Sequence, residues 1–197
     1  MQALLALSRR IDAFSRYVGM LATWMVLLAA LVSALNAVLR YSTGAMIALG
    51  DNFRPVFDIY KDNANTLRDV QLVLFAGMVM LGASWTLKLN EHVRVDLVYG
   101  SVGYRTRSWI DLIGGVLFLL PVCAVLLYFS SSWFLESWHS GEMSPNAGSI
   151  VPRWLFKLFI PLGFFLVLVQ GLSEIIKSVA ALTVNFQRED AYEKPVQ

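Results

Sequence analysis

Four stretches of this chain run long enough without a charge to cross a lipid bilayer, and no other feature narrows its fold so far. Tyr17–Leu39 holds 23 uncharged residues, Val70–Leu87 holds 18 and Leu112–Leu135 holds 24. As helices rising about 1.5 Å per residue, such runs match a hydrocarbon core roughly 30 Å thick. The fourth run, Leu158–Ser173, has only 16. It reaches membrane length if Lys157 snorkels toward water and Glu174 lies near the opposite interface. The expected fold is an all-α integral membrane protein with four transmembrane helices at about 17–39, 70–87, 112–135 and 154–176. Residues 1–184 are expected to form one membrane domain, and the polar tail 185–197 to be disordered.

Composition agrees with lipid as the solvent. Hydrophobic residues make up 57% of the chain and charged ones 15%, against roughly 25% charged in a soluble domain. A soluble enzyme is therefore not the leading reading. The net charge of +2 is spread along the chain and supplies no concentrated basic face for nucleic acid. Cys123 stands alone, which excludes an intrachain disulfide and a cysteine-based zinc site. The first apolar run is longer than a signal-peptide core, and no small-x-small cleavage site follows it. Ser8-Arg9-Arg10 lacks the hydrophobic continuation of a twin-arginine signal, so the run is expected to be retained as a span.

Lysine and arginine set the orientation. Ten lie in the N-terminus, the loop between spans two and three, and the C-terminus, against six on the other side. This favours both termini inside. Three segments outside the spans have amphipathic spacing. Leu4, Leu7, Ile11, Phe14 and Val18 recur at intervals of three and four, which predicts a helix in the inner interface running into the first span. Phe53, Val56, Phe57 and Tyr60 repeat that spacing and point to a helix on the outer surface. In the middle loop, Val93, Val95 and Leu97 alternate as in a strand, while Val95, Val98 and Val102 fit a helix. The period does not decide between them.

An ionisable group at bilayer depth is the first place to look for function in a membrane protein. The span centres here carry none, and Pro121 and Pro161 are single kinks rather than paired breaks in matching halves. A midplane substrate site of the kind built from two broken helices is therefore not expected. His92 and His139 fall in loops on opposite sides of the membrane, which weighs against a haem held inside the bundle. No cofactor or metal is expected. Ser130, Ser131 and Ser132 lie in the third span and are expected to hydrogen-bond to preceding carbonyls or between helices.

Two loop clusters stand out by composition. The first is Glu91-His92-Val93-Arg94-Val95-Asp96, leading to Tyr99-Gly100 and Trp109-Ile110-Asp111-Leu112-Ile113-Gly114. The second is Ser144-Pro145-Asn146-Ala147-Gly148, then Pro152-Arg153-Trp154, Lys157, Ile160-Pro161-Leu162-Gly163-Phe164, and Gln170-Gly171 to Glu174. Solvated turns and a partner-contact surface explain these clusters equally well on chemistry alone. In these residues the chain resembles the small permease subunit, DctQ, of tripartite ATP-independent periplasmic (TRAP) transporters, over roughly Leu67 to Val179. It departs from that pattern at Ser149, where a second glycine is common, at Arg68-Asp69-Val70-Gln71, and in a long first loop.

The resemblance implies a multi-pass protein of the bacterial inner membrane that works with two partners. A soluble periplasmic substrate-binding protein captures an organic acid, and a large permease moves it inward on the sodium gradient. The small subunit binds the large permease in a stable heterodimer and widens its scaffold. On this footing Glu91, Arg94 and Asp96 are expected to order the inner loop, and His92 beside them is a further candidate for a partner contact or structural role. Ser144, Asn146, Gly148 and Trp154 are expected to shape an outer face near the large subunit or the binding protein, with Lys157 a further candidate. Gln170 and Glu174 are candidates for contacts with the large subunit's helices. The rival readings are a haem- or quinone-associated membrane anchor of a redox complex and a self-sufficient small carrier.

Overall fold

Between Gln2 and Ala48 there is no proline and only Gly19 and Gly44 to weaken a helix. The whole segment accordingly forms one helix. A computed structural model describes residues 1–48, 54–90 and 102–184. Its helices are α1 (Gln2–Ala48), α2 (Arg54–Leu89), α3 (Tyr104–Gly114), α4 (Leu120–Ser140) and α5 (Arg153–Val184), with a π-helical turn at Gly115–Leu119. The π turn joins α3 and α4 into one continuous span, Tyr104–Ser140. Among the described residues there are therefore four helices long and apolar enough to cross a membrane, as expected for an all-α membrane protein.

Both amphipathic segments that fall in described residues are helical, and both are continuous with a span. The N-terminal one is the start of α1, whose 47 residues extend for roughly 70 Å. The segment containing Val56, Phe57 and Tyr60 forms the first turns of α2, because no glycine or proline interrupts the chain between Pro55 and Gly77. Tyr60 ties it to α1 by donating to Asn36 Oδ1 at 3.1 Å. The middle-loop cluster at 91–101 and the tail from 185 lie outside the described residues.

Packing follows the logic of a lipid solvent. Large aliphatic and aromatic side chains face outward: Trp24, Leu28 and Leu31 on α1, and Phe118, Val125 and Phe129 on the third span. Small or polar residues face inward, seven residues apart. The series are Ser8, Ser15, Ala22 and Ala29 on α1, Cys123, Ser130 and Ser137 on α4, and Ser173 and Ala180 on α5, the last continuing a seam that begins at the larger, buried Leu166. A seven-residue repeat keeps one seam of a helix against its neighbour, and small side chains let the backbones come close. Gly163 marks a close approach of α5 to the α2 backbone. A methyl group added there would sit 2.7 Å from Met80 Cβ and 2.9 Å from the Met80 carbonyl oxygen.

Helix α5 is the hub and touches every other helix. It runs antiparallel to α1, with Ser8 beside Ser173 and Ser15 beside Gln170. The start of α1 and the end of α5 therefore lie at the same end of the bundle, in keeping with both termini inside. In the third span, Pro121 has no N–H to donate, and its ring crowds the carbonyl four residues earlier. The chain widens just before it, and the Leu120 N–H reaches back to the Gly115 carbonyl, the five-residue step of a π turn. Helix α4 ends at Gly141, whose φ of 61° is a left-handed cap that glycine adopts without strain.

Candidate functional site: two polar clusters on the central helix

The first cluster, at the end that the lysine and arginine count places outside and hence the outer one, begins where α4 stops. Gly141 turns the chain so that Glu142 faces back toward the helix ends. Its carboxylate accepts from Lys157 Nζ at 2.7 Å, Ser137 Oγ at 2.8 Å and the Arg153 guanidinium at 2.8 Å. The Lys157 hydrogen bond, with that from Ser137 and the nearby positive charges, holds the Glu142 carboxyl below the usual carboxylate range. The expectation that Lys157 snorkels outward is corrected. Its side chain is 7% exposed, and its ammonium lies 4.6 Å from the Trp133 ring centre. A carboxylate and an aromatic face supply what water otherwise would. Trp154 packs edge-on against Trp138 with ring centres 4.5 Å apart.

The loop from Met143 to Pro152 folds on itself and is gripped by α2. Met143 and Pro152 form a two-residue antiparallel bridge, and the Ser144 N–H donates to the Val151 carbonyl. Gly148 turns the chain with φ at 78°. Three side chains from α2 hold the loop. Asn65 donates to the Ala147 carbonyl at 2.8 Å, Thr66 Oγ1 accepts from the Ile150 N–H at 3.4 Å, and Asp69 Oδ1 accepts from Asn146 Nδ2 at 2.7 Å. Between loop, α2 and α5 lies an open groove of about 180 Å³, walled by Leu72, Val73, Pro145, Val151, Pro152 and Phe156 with Asp69 and Arg153.

The inner cluster sits thirteen residues further along α5, or roughly 20 Å. Gln170 is fully buried. Its carbonyl accepts from Ser15 Oγ at 2.6 Å, while its amide donates to Asp12 at 3.0 Å and Glu174 at 3.1 Å. Ser173 bonds to both Ser8 and Asp12. Lys177 lies 2.8 Å from each of Asp12 and Glu174. Two carboxylates, one ammonium and a central amide thus satisfy one another where α1 meets α5. Such a network fixes register in a setting where apolar packing discriminates little.

The structure brings Ser144, Asn146, Gly148, Trp154 and Lys157 together at the outer end, and Gln170 and Glu174 at the inner end. Glu91, His92, Arg94 and Asp96 lie outside the described residues. The expectation that Gln170 reaches another subunit's helices is corrected, because its side chain is wholly enclosed by its own chain. Ser130 and Ser132 donate to carbonyls four residues earlier, as expected. His139 is exposed on the last turn of α4. Among the described residues, no three His, Cys, Asp or Glu side chains are placed to hold a metal ion. Sequence reading missed Asp69, whose partner stands 77 residues away, and Asp12, whose partner stands 158 away.

Residues 53–181 match the family described as the DctQ component of tripartite ATP-independent periplasmic transporters. Two relatives are more distant. The ectoine TRAP transporter small permease protein TeaB of Halomonas elongata is 23% identical over 59% of this chain and 58% of its own. The C4-dicarboxylate TRAP transporter small permease protein DctQ of Rhodobacter capsulatus is 25% identical over 49% of this chain and 41% of its own. The chain thus aligns with about half the length of these relatives. No solved structure matches it.

Proposed function

Because the chain belongs to the DctQ family of TRAP transporter components, we propose that it is the small membrane subunit of a solute uptake system of that type. It is a multi-pass protein of the inner membrane, and in this reading it forms a stable heterodimer with a large permease. A periplasmic binding protein delivers an organic acid to the pair, and the sodium gradient drives its entry. The small subunit moves nothing by itself: it extends the stationary scaffold against which the permease works.

The family match over 129 of 197 residues carries this reading. The fate of the buried charges supports it. Lys157 is committed to Glu142, and Lys177 to Asp12 and Glu174, so these groups hold the bundle together rather than line a path. The two named relatives serve different solutes, ectoine and C4-dicarboxylates. This supports placing substrate choice in the partners.

The test is uptake in cells expressing this chain with its co-encoded permease and binding protein, using a panel of labelled mono- and dicarboxylates. Uptake of at least one acid is expected in sodium medium, falling at least tenfold when potassium replaces sodium. Sodium-independent uptake refutes the energetic part of the proposal. Uptake that survives deletion of this chain refutes the subunit role.

A further inference from the structure

The groove above α2 is walled in part by a carboxylate, Asp69, one oxygen of which lacks a hydrogen bond among the described residues. Asp69 is 7% exposed and forms part of the groove wall. One carboxylate oxygen accepts from Asn146 at 2.7 Å, while among the described residues Oδ2 accepts no hydrogen bond. Arg153, the cation in the wall, is turned to Glu142 at 2.8 Å, while the Ser144 and Ser149 hydroxyls and the charge of Arg68 favour the ionised form of Asp69. The remaining walls, Leu72, Val73, Val151 and Phe156, are apolar. A negative group at the side of an apolar slot is the complement of a side chain with an aliphatic stem and a cationic end. The slot's volume of about 180 Å³ suits one such side chain and is far too small for a helix.

We propose that the Asp69 groove seats a single lysine or arginine of the substrate-binding protein when it docks on the outer face. The inference rests on the subunit reading above and names a contact within it. The binding protein is the better occupant because the groove opens beside the outer loop, at the end of the spans. A permease sharing the membrane packs along the helix faces instead. Docking brings a positive charge to Asp69, with a local shift that opens its buried Oδ2 to the groove, and lays the aliphatic stem against Leu72 and Phe156.

The test uses the complex of this chain with its co-encoded permease in lipid nanodiscs, titrated with the purified co-encoded binding protein at several salt concentrations. Asp69→Asn is expected to weaken binding by about tenfold or more and to flatten its salt dependence, with Asp69→Glu restoring most of the affinity. Asp69→Asn also alters the pair with Asn146, so Leu72→Trp serves as a second variant. It fills the slot from a half-exposed position and leaves the Asp69–Asn146 pair in place, and it is expected to weaken binding to a similar degree. Unchanged affinity in Leu72→Trp overturns the inference while leaving the subunit reading intact. Failure of the wild-type complex to bind the protein at all overturns both. A zero-length carbodiimide cross-link from Asp69 to a lysine of the binding protein supports the assignment; one to the permease overturns it.

Discussion

Gly148 and Glu142 hold the outer loop by different physical means, and they fail under different conditions. Gly148 sits at φ 78°, a left-handed backbone that a β-branched residue adopts only at a cost of about 1–3 kcal/mol. Gly148→Val should therefore lower the melting temperature of the detergent-solubilised protein, whereas Ala147→Val, at its exposed neighbour, should leave it unchanged. Glu142 responds to pH. Its folded carboxyl titrates below the ordinary value of 4.5, so its tie to Lys157 contributes fully above that value. The contribution is lost as pH falls through the depressed folded value. Melting temperatures of wild type and Glu142→Gln should differ at pH 7 and draw together as pH falls below 4.5 and through the depressed folded value; a gap that stays constant into acid contradicts the assignment. At the inner end, Lys177→Met leaves Asp12 and Glu174 facing each other without their shared cation. These carboxylates are partly exposed (17% and 23%), so the expected loss is about 1–3 kcal/mol, read by the same melts, with Lys177→Arg largely retaining stability.

At the scale of the helices, the long uncharged runs were enough to place four spans, since lipid leaves few alternatives for such segments. What those runs concealed was which face of each helix turns inward. Leu4, Leu7 and Phe14 form an apolar stripe on α1, yet they are exposed, while Ser8 and Ser15 are buried. Hydrophobic periodicity marks the buried side in water; in lipid the small-residue repeat of seven marks it instead. That signal was present in Ser8, Ser15, Ala22 and Ala29 and in Cys123, Ser130 and Ser137. The outer motif Ser144–Gly148 and the Gln170–Glu174 stretch were legible as clusters. Their partners Asp69 and Asp12 were not, because a hydrogen bond across 77 or 158 residues leaves no trace in local spacing. The close approach of α5 to α2 yields a prediction at this scale. Gly163→Val places side-chain atoms against Met80 backbone and should cost about 1–3 kcal/mol, while Leu162→Val, at an exposed lipid-side position, should be nearly neutral. Comparable melts for the two variants contradict the packing described.

Among the described residues the chain is a bundle organised around α5, with one polar cluster at the start of that helix, another in its second half, and many large apolar side chains exposed on its outer surface. Its buried ions are spent on internal ties, and its outer loop is held by α2 next to a groove of single-side-chain size. These features suit a scaffold that presents surfaces to partners. The most direct measurement is sodium-driven uptake in proteoliposomes containing this chain alone, the large permease alone, or both, each supplied with the binding protein and its labelled acid. Uptake is expected only when both membrane chains are present, with no sodium-dependent signal from this chain alone. Uptake by this chain alone, or full activity of the permease without it, would contradict the account.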